Sequence, residues 1–356
     1  MRDSVVRRSM AGDRCGYHHD VTAIPGAGET TCWRPVWGDR DRCVWHADEF
    51  NKSEADLNEL APNEGERIDG AVITTTDLNE TDMFSDVVML EATFENVRLR
   101  YADFSEADLQ RSTFNGVDAY GATFRRADLE DAQVKNSDLR SASLIHAELY
   151  KVAFSDTRVD RKTEFGSKLI YEERLEESDD DSTVATCQEA ATWTYRQLES
   201  LFTRNADPVP TTKYFVREKD TRRKAAWKLG NYVRAVKMEA SRWVMLYGTS
   251  PWRVLGGSAV VILICALLFP LTGGIQEMGA DQAITYAVEQ PQDTAVPVLV
   301  SVFLKSLYFS VVTFATLGFG DISPVGSFAR FLAGVESLLG SLLMAMLVYV
   351  LTRTPR

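Results

Sequence analysis

Two groups of residues in this 356-residue chain have the types and spacing to do chemistry. The first is Thr316-Leu317-Gly318-Phe319-Gly320-Asp321. Gly318 and Gly320 accept the positive φ that a residue with a Cβ resists, so this stretch can aim successive carbonyls at one axis. Four copies around that axis would stack rings of oxygens that replace a cation's hydration shell, with the Thr316 hydroxyl as the innermost ring. The second group is Cys15, Cys32, Cys43 and His46. Three thiols and an imidazole fit a closed, tetrahedral, structural zinc site, and Cys43-x-x-His46 has the spacing of one chelating half. Cys15 and Cys32 are less regularly spaced, and His18 or His19 could stand in for Cys32. The segment holds Trp33, Trp37 and Trp45 but few aliphatics, so a metal would have to supply its core.

One further ionisable residue stands out. Glu336 lies inside an apolar run, and a carboxylate at membrane depth should face protein rather than lipid. It lies one helical turn before Gly340. It either packs behind the 316–321 loop as its support or sits partly exposed near the outer boundary. No Ser-His-Asp constellation, phosphate loop or pair of catalytic carboxylates stands out, so no enzyme is expected.

The elements that must position the loop are two apolar runs, Val254 to Leu271 and Phe331 to Leu351, each about the 20 residues needed to cross a bilayer. Between them Leu304 to Ala315 is too short to span and carries Lys305, Ser306, Ser310 and Thr313. This predicts a re-entrant half-helix surrounded by protein or water. From about Trp252 to Arg353 this order resembles the pore domain of two-transmembrane potassium channels. Leu307 to Val311 fall where that family has its aromatic-rich pore helix, Pro324 and Arg330 match its outer mouth, and Gly340 matches its inner-helix hinge. Leu317 and Phe319 stand where the family has valine and tyrosine. The resemblance implies a homotetramer in the membrane, with potassium as the permeant ion and residues 316–321 as selectivity filter. Gly340 lowers helix stability by roughly 1 kcal/mol relative to Ala, which suits a hinge. Beyond it Ser341, Met344, Val348 and Thr352 share one face, and rings of Met344 and Val348 could close the pore by excluding water. Neither span carries an arginine ladder, so steep voltage sensing is not expected.

The middle of the chain is an internal repeat. From Phe84 to Val159 every fifth residue is Phe, Leu, Met, Val or Ala, and two residues earlier most repeats carry a small residue, as at Ala102, Ala107, Ser112 and Ala122. A period of five fits neither an ordinary helix nor an ordinary strand. It resembles the pentapeptide-repeat family, which implies a right-handed quadrilateral β-helix of about four coils. Ile68, Ile73 and Leu78 would begin a fifth coil after a one-residue slip. Solenoids offer surfaces and spacing rather than catalytic chemistry.

Net charge is −12, unevenly spread. Residues 1–212 carry about −18, whereas Lys213 to Arg242 is strongly basic. That basic run precedes the first apolar span, which argues for a cytoplasmic membrane surface rather than nucleic acid as its partner. Arg353 and Arg356 put the other end on the same side, and the acidic Thr272 to Val300 loop faces outward. Met1 to Asp20 has no apolar core, so no signal peptide is expected. The odd cysteine count, with Cys265 inside a span, speaks against a disulfide framework.

The expected architecture is a multidomain membrane protein. Residues 1–50 form a small Cys/His zinc module, 51–170 the pentapeptide-repeat β-helix, 171–250 a helical juxtamembrane linker split by Pro208 and Pro210, and 251–356 the α-helical two-transmembrane pore domain. The expected function is a tetrameric potassium channel in the plasma membrane, multi-pass, with both termini cytoplasmic. The solenoid would act as sensor or scaffold for a cytoplasmic protein or ligand. The alternatives are a membrane-anchored scaffold that has lost conduction, and an acidic rod that mimics DNA.

Overall fold

The computed structural model describes residues 14–20, 24, 27–50, 52–205, 208–272, 274–279, 283–285 and 296–353. Arg356, most of Met1 to Asp20 and about half of Thr272 to Val300 lie outside the described residues. The chain divides into two compact units, Met1–Ala235 and Val236–Arg356.

The first unit opens with an antiparallel pair, β1 (His18–Asp20) and β2 (Glu29–Thr31). A short helix follows, α1 (Glu54–Glu59), started by a capping box in which the Ser53 hydroxyl accepts from the Asp56 amide and the Asp56 carboxylate accepts from Ser53. Then the repeat coils. Strands β3 (Val72–Thr74), β4 (Thr93–Glu95), β5 (Thr113–Asn115), β6 (Gln133–Lys135) and β7 (Ala153–Ser155) form one parallel sheet in chain order. Ile73, Phe94, Phe114, Val134 and Phe154 stand in one register row. The sixteen repeat centres from Phe84 to Val159 are all buried, as the period of five requires. Their rings stack between coils, Phe84 on Phe104 at 4.7 Å, Phe94 on Phe114 at 4.7 Å and Phe104 on Phe124 at 5.0 Å.

The corners explain the period. From Asp86 to Asp156 every fifth residue is left-handed, whether Gly116, Asn96 or even Tyr101 (φ 56°). On three of the four faces of a coil this closes a turn, as where the Ala102 amide reaches the Leu99 carbonyl at 3.2 Å; a type II turn needs positive φ at its third position. Non-glycine residues there cost about 1–2 kcal/mol each. The cost is offset by coil-to-coil bonds such as Phe104 N to Thr123 O (2.8 Å) and Thr123 N to Ala102 O (2.9 Å). The expected slip before Phe84 is present, since Ile73 pairs with Phe94. A second one, not anticipated, follows Val159: a turn in which the Asp160 carboxylate accepts from the Thr163 amide (2.9 Å) brings Glu164 opposite Ser143.

Three helices complete this unit and a fourth leads out of it: α2 (Ile170–Glu177), α3 (Asp181–Arg204), α4 (Pro208–Lys228) and α5 (Tyr232–Met245). The acidic stretch read as linker holds the cap of α3, where Asp180 accepts from the Thr183 amide at 2.8 Å. Pro208 and Pro210 belong to the first turn of α4, where a missing N–H costs nothing. Besides the split at Pro208 and Pro210, the linker is broken at Gly230, whose φ of +69° separates α4 from α5.

Basic residues of α4 meet buried acids. Glu172 takes Lys224 (2.5 Å), Arg217 (3.6 Å) and the Tyr195 hydroxyl (2.6 Å). Glu218 takes Lys219 (2.9 Å), Arg222 (2.9 Å) and Arg196 (3.2 Å). Much of the basic run is thus neutralised within its own unit, and less of it is left for a lipid surface than its count suggests.

The second unit contains α6 (Pro251–Leu268), α7 (Val296–Phe314) and α8 (Gly326–Arg353), with an antiparallel pair β8 (Ile275–Glu277) and β9 (Ile322–Pro324). Pro251–Leu271 and Gly326–Thr352 are long and apolar enough to cross a membrane. Helix α7 begins at Val296, ahead of the expected start at Leu304, because the apolar sequence continues upstream.

Candidate ion pathway and metal site

The 316–321 loop leaves the C-terminus of α7 through three bonds that satisfy the helix's last carbonyls. Ala315 N reaches Val311 O (3.0 Å), Thr316 N reaches Thr313 O (3.1 Å) and Leu317 N reaches Val312 O (3.0 Å). Thr316, Gly318 and Gly320 are left-handed, at φ 51°, 60° and 79°, while Leu317 and Phe319 between them are not. A chain whose handedness alternates residue by residue turns successive carbonyls to the same side, which is what a carbonyl-lined pathway demands. The glycines were expected to do this; Thr316 was not. Thr316 through Asp321 are all exposed on the single protomer.

Beyond the loop, Asp321 is held twice. The Tyr308 hydroxyl on α7 donates to its carboxylate at 2.8 Å, and the Met278 amide donates to its carbonyl at 2.8 Å. The β8–β9 pair and a Lys305–Glu277 ion pair (2.8 Å) continue this brace. Tyr308 was not singled out as a functional residue; its signal was only an aromatic hydroxyl among the apolar residues of the half-helix.

Glu336 on α8 is fully buried, which rules out the partly exposed alternative. The Ser310 hydroxyl on α7 lies between the Glu336 carboxyl and the Ile262 carbonyl of α6 (2.8 Å), tying the three helices together. The second carboxyl oxygen of Glu336 has no partner among the described residues. One turn on, a Cβ added at Gly340 would collide with the Phe314 carbonyl, so Gly340 is where α8 crosses the end of α7. Helix α8 runs through Gly340 without a break. Met344 and Val348 are exposed on the protomer, beside Ser341 and Thr352 on one face.

In the other unit Cys15, Cys32, Cys43 and His46 converge, with their ligand atoms all within 4.8 Å of one another. A tetrahedral ion with Zn–S of about 2.3 Å separates its sulfurs by about 3.8 Å. Cys32 Sγ and Cys43 Sγ are 3.8 Å apart, Cys15 Sγ and His46 Nδ1 3.6 Å, and Cys43 Sγ and His46 Nδ1 3.3 Å. The other imidazole nitrogen, Nε2, bonds the Asp69 carbonyl at 3.0 Å, which leaves Nδ1 free to ligate. Hydrogen bonding from Cys43 pulls the Cys32 thiol down to about 3, and Cys43 moves up by giving that bond; a bound cation would lower both. His18 and His19 are engaged elsewhere, with Thr31 (3.1 Å) and Glu91 (3.3 Å).

Comparison with known proteins agrees with both halves. Residues 282–356 match the family described as "Ion channel". Residues 89–126 and 122–159 match pentapeptide repeats, in eight copies. No curated protein sequence matches the chain. Among solved structures it is similar to a pentapeptide repeat protein (Rfr23) from the cyanobacterium Cyanothece 51142, with 18% identity, covering 32% of this chain and 96% of that one, TM-score 0.23. It is also similar to HetL from Nostoc sp. strain PCC 7120, a pentapeptide repeat protein involved in heterocyst differentiation regulation (26% identity, 28% and 44% covered, TM-score 0.18). A third is a pentapeptide repeat protein of the Arabidopsis thaliana thylakoid lumen (22% identity, 28% and 63% covered, TM-score 0.19). The chain spans less than two thirds of the last two. The chain thus carries pentapeptide repeats and, at residues 282–356, a match to an ion-channel family whose model is of the two-transmembrane potassium-channel type; neither family is one of enzymes.

Proposed function

We propose that this chain forms a homotetrameric, potassium-selective channel of the plasma membrane, with its solenoid in the cytoplasm as sensor or scaffold. The observation that carries this reading is the alternating left-handed backbone at Thr316, Gly318 and Gly320, held between a half-helix and a membrane-length helix. Carbonyls turned to one side line a pathway only when other subunits supply the facing rings, so four chains contribute four loops. Residues 316–321 form the filter, Glu336 supports it through Ser310, and Met344 and Val348 narrow the pore beyond Gly340. The basic residues near the first span set both termini on the cytoplasmic side. A structural zinc ion occupies Cys15, Cys32, Cys43 and His46.

The test is ion flux in liposomes containing the purified full-length protein, together with its mass in detergent. Potassium should pass far better than sodium, and the mass should be that of four chains. Comparable sodium flux would remove potassium selectivity, and a monomer or dimer would remove the channel reading.

A further inference from the structure

A β-solenoid has open ends. The end strand presents unpaired N–H and C=O groups on which another chain can add a strand. In this protein β3 is the edge of the five-stranded sheet, and residues 43–50 and Lys52 lie against it. The Val72 amide donates to the Trp45 carbonyl (2.8 Å), Thr74 Oγ1 to the Glu49 carbonyl (3.0 Å) and Thr76 Oγ1 to the Lys52 carbonyl (3.0 Å). The Lys52 ammonium, almost wholly buried, donates back to the Val72 carbonyl. Trp45, fully buried, sets its ring edge-on to Phe84 at 6.2 Å and gives its indole N–H to the Leu60 carbonyl at 2.7 Å.

This cap has little to hold it in shape. Among the described residues, its strands before α1 are one pair of three residues each. What converges on it are the four ligands. Cys43 and His46 flank Val44-Trp45, the residues that plug the coil, while Cys15 and Cys32 come from the segments around β1 and β2. His46 joins the two systems, with Nδ1 among the thiols and Nε2 on the first-coil carbonyl of Asp69.

We propose that a zinc ion at Cys15, Cys32, Cys43 and His46 is the lock of an edge cap. The ion holds residues 43–50 and Lys52 on the open end of the solenoid, and its loss frees the β3 edge to pair with a second copy of the solenoid. The choice of zinc follows from three thiolates and one imidazole in a closed tetrahedral set. The inference rests on the zinc reading above but makes a separate claim, about what the ion does for the solenoid.

The test uses the full-length protein in detergent, its metal content measured, then stripped with a chelator and reloaded with zinc. Hydrogen exchange is followed at residues 71–76 and, as an internal control, at 133–135. The expected result is one zinc per chain. Stripping should raise exchange at 71–76 by at least tenfold and leave 133–135 unchanged, with association beyond the starting oligomer, all reversed by zinc. His46→Cys should keep the metal in a four-thiolate set yet raise exchange at 71–76, because the link to Asp69 is gone. Less than stoichiometric metal would defeat the zinc reading and the lock together. Stoichiometric metal whose removal leaves 71–76 unchanged, or raises exchange equally along the whole solenoid, would overturn the lock alone.

Discussion

At the scale of single residues, the 316–321 loop shows where strain is kept. Thr316 is β-branched and left-handed, a conformation that costs about 1–2 kcal/mol and persists only where its surroundings over-determine it. Its neighbours do so: three backbone bonds fix the exit from α7, and Tyr308 and Met278 fix Asp321. Tyr308→Phe should therefore shorten open bursts in single-channel records while leaving assembly intact. Unchanged bursts would mean that the hydroxyl braces nothing. Ser310→Ala leaves the Glu336 carboxyl without its donor in a buried setting, a loss of about 1–3 kcal/mol. It should appear as a lower melting temperature of the detergent-solubilised protein. The sequence made Gly318 and Gly320 legible because only glycine enters the left-handed region freely. Thr316 carries no such mark, since its conformation is imposed by the helix end before it and the glycine after it. The Tyr308–Asp321 bond was hidden for another reason: its partners are 13 residues apart and meet only once the chain has turned back.

At the scale of elements, the solenoid was the most legible part. A period of five leaves one geometry in which every large residue is inside, and the burial of each repeat centre follows from it. Helix α2 was not legible, because its sequence Ile170 to Glu177 is mostly charged and it owes its place to packing of Tyr171 and Leu175 and to the buried Glu172. The stacked coils also put carboxylates in register, with Asp108, Asp128 and Glu148 opposite one another on successive coils. Burial, with a smaller push from Glu148 and Asp108, raises Asp128 to about 7. An aspartate normally titrates near 3.9. The folded state thus holds this proton more tightly than the unfolded one. The stabilisation is complete below about pH 4 and is lost as the pH rises to about 7. Asp128→Asn keeps an oxygen to accept the Glu130 amide, 2.9 Å in the parent, and removes the charge. Thermal unfolding of the solenoid should then become less dependent on pH between 4 and 7, with the variant more stable than the parent above pH 7. A variant whose melting curve tracks the parent's across that range would show that Asp128 is already well solvated.

At the scale of the whole molecule, a pentapeptide-repeat solenoid and two membrane-length helices share one chain. The order of spans and loop was legible because length and polarity alone decide which segments can cross a bilayer. The role of Gly340 was legible only in part. The sequence suggested a hinge, and the structure adds a close approach, since a methyl there would strike the Phe314 carbonyl at the end of α7. Gly340→Ala should therefore lower unitary conductance as well as shift the open–closed balance, because it pushes on the loop as well as stiffening α8. The clean probe of the gate lies further along. Met344 and Val348 are apolar, share one face of α8 and are exposed on the protomer, so four copies can form a narrow dry ring. Water leaves such a ring when the helices converge, and ions stop with it. Val348 touches neither the filter nor Glu336 in sequence or along the helix, so a carboxylate there changes the wetting of the ring alone. Val348→Asp should hold the pore conductive, raising open probability in single-channel records with potassium selectivity unchanged. If open probability stays at the parent value, the ring is not the gate, and closure falls to the loop that Tyr308 and Glu336 brace.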